Sequence, residues 1–212
     1  MHLKKESLRL YAVTDRGWLH GRTLYEQVEE ALRGGVTMVQ LREKHKPESE
    51  FLAEAVRMKA LCASYGVPLI VNDNVEIAIR AGADGVHLGQ KDRDVRTARR
   101  MLGPDKIIGA SARTKERAQL VQAQGADYIG VGAVFATGTK QDAQVISLER
   151  LREVCGAVTI PAAAIGGISA ENVESLADSG ISGIAVVSAL FAKKDVQKAA
   201  QSLIKKLERM GL

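Results

Sequence analysis

Three groups of side chains in this sequence have the types and spacing to do chemistry. The first is Gln40-Leu41-Arg42-Glu43-Lys44, at the end of the run Val36–Arg42. In an extended chain successive side chains point to opposite faces, so Gln40, Arg42 and Lys44 share one side and Val39 and Leu41 the other. Two cations beside an amide donor suit a polyanion such as phosphate or diphosphate. The second group is Asn72-Asp73 together with Asp92, in Gly89-Gln90-Lys91-Asp92. Carboxylates at the tips of neighbouring strands can bracket one hard divalent cation; Mg2+ takes one or two of them and fills its other positions with water and phosphate oxygens. Asp73 and Asp92 are therefore the metal candidates. The third group is the pair of turns Ile165-Gly166-Gly167-Ile168-Ser169 and Val187-Ser188-Ala189-Leu190. Glycine leaves the main chain open to a phosphate, and a short helix starting at Ser188 would complement its charge.

Weaker signals lie between these groups. Ser111 can exchange a hydrogen bond with a phosphate, and Thr114 reads as the cap of the next helix. The segment Ala133–Asp142, with Thr137-Gly138-Thr139-Lys140, has the length of an active-site lid and carries two hydroxyls and a cation. His87, inside an apolar run, reads as a satisfied core histidine. His2, His20 and His45 form no ligand set. With no HExxH or GxSxG sequence, neither zinc chemistry nor nucleophilic hydrolysis has support.

These groups need a frame that brings them together. Eight short apolar runs, Arg9–Thr14, Val36–Arg42, Leu69–Asn72, Gly85–Gly89, Ile107–Ala110, Tyr128–Gly132, Ala162–Ile165 and Gly183–Val187, each precede a stretch of helical periodicity. Over 212 residues this gives about 26 per strand-plus-helix unit, near the minimum for a compact repeat. Even-numbered strands are entered through Gly35, Gly82-Ala83-Asp84, Gly125-Ala126-Asp127 and Gly180. The third, fifth and seventh are entered near Pro68, Pro104 and Pro161. Asp84 and Asp127 thus belong to helix-to-strand turns at the far rim and read as structural. An open doubly wound sheet would carry a glycine-rich GxGxxG turn after its first strand, whereas here Thr14-Asp15-Arg16-Gly17 follows. The expectation is an α/β fold, a (β/α)8 TIM barrel forming a single domain over residues 1–212, with reactive groups at the C-terminal strand ends.

Composition bounds the remaining choices. Hydrophobic residues make up 46% and charged residues 26%, which excludes disorder and a disulfide-stapled miniprotein. Thirty Lys+Arg against 25 Asp+Glu give +5, but the basic residues fall in helical runs without interleaved aromatics, so nucleic acid is not an expected partner. Cys62 and Cys155 are isolated and read as buried, idle thiols. The polar start, Met1 to Glu6, lacks the apolar core of a signal peptide, and no run approaches a membrane span, so the expected location is cytoplasmic. Two anion sites and a carboxylate pair in one barrel suggest a transferase: a diphosphate leaves one substrate and a nucleophile on a phosphorylated second substrate replaces it. The expected partners are small molecules, neither nucleic acid nor membrane, and a homo-oligomer stays open.

Taken in order, Gln40-Leu41-Arg42-Glu43-Lys44, Asn72-Asp73, Gly85-Val86-His87-Leu88-Gly89-Gln90 with Asp92, Ser111-Ala112, Gly130-Val131-Gly132 leading to Thr137-Gly138-Thr139-Lys140, and Ala164-Ile165-Gly166-Gly167-Ile168 resemble the thiamine-phosphate synthase family. The opening Leu10-Tyr11-Ala12-Val13-Thr14-Asp15 is similar too, and the resemblance runs from about Leu10 to Leu190. It implies a (β/α)8 enzyme that joins an aminopyrimidine methyl diphosphate to a thiazole ethyl phosphate, in some bacteria its carboxylated form, releasing diphosphate, with Mg2+ as cofactor. By the resemblance, Gln40, Arg42, Lys44, Asn72, Ser111 and Lys140 would hold the pyrimidine diphosphate, with Arg42, Lys44 and Lys140 serving catalysis. Asp73 and Asp92 would bind Mg2+, and Thr137, Thr139, Gly167, Val187 and Ser188 the thiazole phosphate. It also implies a dissociative mechanism without a protein nucleophile. The chain departs from the family at Arg113, where histidine is common, and at Ala133 and Ala136, where proline is common; none of these is an expected ligand. Two alternatives remain: a thiazole tautomerase-like barrel, in which a histidine stands near Ala133, and a non-catalytic ligand-sensing homologue.

Overall fold

The computed structural model describes residues 3–90, 92–138 and 144–212. Eight parallel strands close into a barrel in chain order, β1 beside β2 and so on round to β8, which pairs with β1. They are β1 (Leu10–Val13), β2 (Met38–Leu41), β3 (Leu69–Asn72), β4 (Gly85–Leu88), β5 (Ile107–Ser111), β6 (Tyr128–Gly132), β7 (Ala162–Ile165) and β8 (Gly183–Val186). The helices are α1 (Leu24–Arg33), α2 (Glu48–Ser64), α3 (Val75–Arg80), α4 (Val95–Leu102), α5 (Lys115–Ala123), α6 (Leu148–Gly156), α7 (Ser188–Phe191) and α8 (Val196–Arg209), with 3-10 turns at Lys5–Leu8, Arg16–Trp18 and Val173–Leu176. The eight expected strands are all present, and the chain has the closed barrel rather than the open sheet.

Side-chain alternation builds two cores from the same strands. Outward residues such as Leu10, Ala12, Val39, Leu41, Leu69 and Val71 pack against the helices. Inward ones, Tyr11, Val13, Met38, Ile70, Ile107, Tyr128, Ala163 and Ala185, fill the barrel. The helices supply the matching stripe: α1 buries Leu24, Gln27, Val28, Ala31 and Leu32, and α8 buries Val196, Ala200, Leu203 and Leu207, the spacing of one helical face. All but α2 and α7 have starts fixed by side chains that accept from the first free N–H groups: Thr23 in a capping box, and Asn74, Asp94, Thr114, Ser147 and Asp195. Thr114 is thus the cap its position suggests.

The far rim carries a repeated clamp. Asp84 accepts from Leu69 N at 2.8 Å and from Lys59 Nζ at 2.6 and 2.7 Å. Asp127 accepts from Ile108 N at 2.7 Å and from Arg99 at 2.6 Å, and Arg99 also donates to the carbonyls of Lys106 and Gly125. At the first strand pair Thr37 Oγ1 accepts from Leu10 N at 2.9 Å. Each ties a strand start to the neighbouring helix-to-strand turn. Both aspartates are structural, away from the C-terminal strand ends.

Two differences from the sequence reading have local causes. β2 begins at Met38 rather than Val36 because the Gly35 and Val36 N–H groups still bond to the end of α1, at Leu32 O and Ala31 O. No α-helix follows β7. Ser169 N donates to Asn172 Oδ1 at 2.8 Å and Asn172 Nδ2 to Gly167 O at 2.9 Å. Asp178 then takes a left-handed φ of 59°, leaving room for one 3-10 turn before Gly183.

Candidate active site

The C-terminal strand ends surround a cavity of about 540 Å³. Every described candidate lines it: Gln40 from β2 with Arg42 and Lys44 after it, Asn72 from β3 with Asp73 after it, Asp92 after β4, Ser111 from β5, Thr137 after β6, Gly167 after β7, and Val187 and Ser188 after β8. Thr139 and Lys140 lie outside the described residues. Register explains much of the convergence, since Val13 pairs with Gln40, Asn72 with His87, and Ser111 with Gly130.

Both cations that follow β2 are held by carboxylates. Arg42 Nη1 stands 3.1 Å from Asp15 Oδ2, and Lys44 Nζ 2.7 Å from Asp73 Oδ2. Thr14 Oγ1 accepts from Arg42 N at 2.9 Å, which fixes the backbone beneath them. Asp73 and Asp92 meet across the tips of β3 and β4, as their positions suggest. Burial opposes charge on Asp73, yet its hydrogen bond to Asp92 and the Lys44 ammonium hold its carboxyl below the usual carboxylate range. Burial and the Asp73 charge push Asp92 above that range, although Gly89 N donates to it at 2.6 Å. Such opposite displacement is what two carboxylates in contact produce.

The donor set fits a hard divalent ion. Two oxygen-donor carboxylates in mutual contact carry a repulsion that such an ion relieves, and no group of three or more His, Cys, Asp or Glu is placed to hold a metal ion among the described residues. That leaves the remaining positions to water and ligand oxygens, as suits Mg2+. Asp73 also has a left-handed φ of 64° and donates its N–H to His87 O at 2.8 Å. Aspartate tolerates this backbone region better than most residues with a Cβ, and the bond to His87 O holds Asp73 in it.

The turn after β7 has φ of 99° at Gly166 and 66° at Gly167. The sequence reading attributed the missing Cβ atoms to a ligand's approach; the structure shows the chain itself fills that space. A Cβ on Gly167 would lie 2.3 Å from Ala136 O, and one on Gly166 2.5 Å from Ala133 Cβ. Val134 N donates to Ile165 O and Phe135 N to Gly166 O, both at 3.0 Å, so this turn and the loop after β6 form one body.

Among the cavity residues given no role from the sequence are two tyrosines and an arginine. Tyr11 and Tyr128 project inward from β1 and β6, with hydroxyls 2.8 Å apart. Arg113 was not expected as a ligand; it lines the cavity, anchored through Nε to Gly132 O at 3.0 Å. His87 is a satisfied histidine as read, with both ring nitrogens bonded, but it faces the cavity rather than an apolar core. Burial pushes its pKa down to about 4, so the ring is neutral at pH 7. Cys62 and Cys155 are buried and unpaired, and burial raises their thiols to about 12 and about 11.

Fold and site together define a (β/α)8-barrel protein whose strand tips bring cations, paired carboxylates and a glycine turn into one cavity. The family described as thiamine monophosphate synthase matches residues 10–190. Thiamine-phosphate synthase of Clostridium tetani is 48% identical over 203 residues, covering 96% of this chain and 97% of that protein. That of Ruminiclostridium cellulolyticum is 48% identical over 195 residues, covering 92% and 93%. The solved thiamine phosphate pyrophosphorylase from Pyrococcus furiosus has a TM-score of 0.90 at 39% identity, covering 97% of this chain and 98% of that one. KGPDC from Streptococcus mutans, with a TM-score of 0.71 at 14% identity, shares the fold alone. The chain belongs to the thiamine monophosphate synthase family.

Proposed function

We propose that this protein is a transferase that makes thiamine phosphate from an aminopyrimidine methyl diphosphate and a thiazole ethyl phosphate, with Mg2+ as cofactor. The C–O bond from the pyrimidine methylene to the diphosphate breaks, a C–N bond to the thiazole nitrogen forms, and diphosphate leaves. The observation that carries this reading is the convergence of Gln40, Arg42, Lys44, Asp73, Asp92, Ser111, Gly167 and Ser188 on one cavity, in a chain 48% identical to proteins named for that product.

In this reading Arg42, Lys44 and Lys140 bind the diphosphate, and Gln40, Asn72 and Ser111 hold the pyrimidine beside it. Thr137, Thr139, Gly167, Val187 and Ser188 take the thiazole phosphate, which sets the acceptor nitrogen near the breaking bond. Asp73 and Asp92 would hold Mg2+, which when bound neutralises charge developing on the departing diphosphate. Aminopyrimidine delocalisation stabilises the methylene cation, so the protein needs no nucleophile and its buried thiols are spectators. Its work is to neutralise the leaving group, exclude water and orient the acceptor. Alanine at position 133 supports the synthase over the tautomerase reading. No helix among the described residues is long and apolar enough to cross a membrane.

The test is purified protein with both substrates, with and without Mg2+, assayed for thiamine phosphate and inorganic diphosphate. Equimolar appearance of both products, abolished by chelator, is expected. Absence of thiamine phosphate under all conditions would overturn the proposal.

A further inference from the structure

Beneath the cavity, five polar side chains from five different strands join end to end through the barrel interior. Gln40 Nε2 donates to Tyr11 Oη at 2.5 Å. The Tyr11 and Tyr128 hydroxyls are 2.8 Å apart, Tyr128 Oη is 3.0 Å from His87 Nδ1, and His87 Nε2 is 3.0 Å from Ser111 Oγ. Both tyrosines are fully enclosed, with rings edge to face at 5.9 Å. The facing strands are cut back to admit them: a Cβ on Gly109 would lie 2.0 Å from Tyr128 Cζ, and one on Gly130 3.2 Å from His87 Cε1.

Counting protons gives the chain a direction. A tyrosine hydroxyl has one proton, and a neutral imidazole has one N–H. Because Gln40 donates to Tyr11, the Tyr11 proton points to Tyr128. Tyr128 accepts that hydrogen bond and donates its own O–H to His87 Nδ1. The imidazole proton then sits on Nε2 and is donated to Ser111 Oγ. Ser111 accepts from the protein, so its hydroxyl proton is free to point into the cavity. At the other end the amide oxygen of Gln40 remains an acceptor.

We infer that Tyr11, Tyr128 and His87 form a directional hydrogen-bond relay whose function is to keep Ser111 a hydrogen-bond donor toward the bound heteroaromatic ring. They are positioning residues, acting on the ligand through Ser111 and Gln40. In its kinetic consequences the inference rests on the proposed pyrimidine site. In its tautomer it rests on the ligand-free protein alone. A ring with a hydrogen-bond acceptor facing Ser111 and a donor facing Gln40 fits this wall, because it uses the hydroxyl proton of Ser111 and the amide oxygen of Gln40 that the chain leaves open.

The deciding measurement uses the wild-type, ligand-free protein with 15N-labelled histidine. Long-range 1H–15N correlation at pH 7, with His87 assigned from the signals absent in His87→Asn, reads its tautomer. The relay requires the Nε2–H form, and an Nδ1–H form overturns it. Tyr128→Phe should release His87 into a mixture of tautomers. It should also lower kcat/KM for the pyrimidine diphosphate by about 10- to 100-fold, the effect of one misdirected buried hydrogen bond, with the KM for thiazole phosphate unchanged. Tyr11→Phe should do the same, and the double variant should be no worse than either single, because both cut one chain. Additive losses, or equal changes in both KM values, overturn the relay. A protein with no synthase activity but His87 in the Nε2–H form would count against the proposed function and leave the relay standing.

Discussion

Replacing Gly167 with alanine tests whether the turn after β7 positions the acceptor substrate. At φ 66° a Cβ costs about 1–2 kcal/mol wherever it is placed. At this position the added atom would also lie 2.3 Å from Ala136 O and 2.8 Å from the Phe135 carbonyl carbon. Both are main-chain atoms, so neither can swing aside. Reaching a 3.0 Å separation moves that main chain by about 0.7 Å, and it leads directly into Thr137. A misplacement near 1 Å at a positioning element costs as much as about 100-fold in rate. Gly167→Ala should therefore lower kcat/KM for thiazole phosphate by about 10- to 100-fold, with a far smaller effect on the pyrimidine diphosphate. Gly82→Ala is the matched control: its φ is 64°, nothing stands within 4 Å of the new Cβ, and it lies on the opposite rim. Both variants should lose roughly 2–8 °C in Tm through the shared backbone cost, and Gly167→Ala should lose more because its Cβ also displaces main chain. Initial rates with each substrate varied, together with calorimetry, measure both effects. If Gly167→Ala matches Gly82→Ala in kinetics as well as in melting temperature, the turn holds no substrate and the reasoning fails.

Three further outcomes follow from the same geometry. Asp73→Ala and Asp92→Ala should each reduce turnover by about 100-fold or more while thiazole phosphate binding, measured by calorimetry, stays near wild type; equal wild-type rates with Mg2+ and with excess chelator would end the metal assignment. Asp84→Ala removes the acceptor for Lys59 Nζ and Leu69 N, so it should cost about 2–4 kcal/mol and roughly 5–15 °C in Tm with turnover at 25 °C intact, and an unchanged Tm would contradict the clamp. Because burial raises the Cys62 and Cys155 thiols to about 12 and about 11, both are protonated at pH 8 and should resist a disulfide-exchange reagent in the native protein, then react together in denaturant; fast native labelling would show that either is exposed.

The strands and their tips were legible because each is a local pattern. Val39 and Leu41 alternate with Gln40 and Arg42, and that period alone assigns faces. Asp84 and Asp127 could be placed on the far rim because they precede their strands. The partners of those residues were not legible. Tyr11 and Tyr128 are separated by 117 positions, and each reads locally as one more apolar residue in a strand; only closure of the barrel brings their hydroxyls together. Arg113 looked neutral for a similar reason, since its anchor, Gly132 O, lies on the next strand. The glycine turn was found for an incomplete reason. Sequence reveals that a Cβ is missing, but not whether a ligand or the chain's own Ala136 fills the space. A usable signal for the relay did exist in Gly109 and Gly130, small residues inside β5 and β6 that imply large neighbours.

The barrel is sealed where the earliest strand meets the latest. β1 lies between β2 and β8, and Gly183 approaches so closely that a Cβ there would fall 1.8 Å from Leu8 O. During synthesis β1 therefore waits through most of translation with one side unpaired, a ready template for wrong partners. Ribosome-stalled chains ending before Gly183 should depend on chaperones for solubility, and those extending past α8 should be released from that dependence.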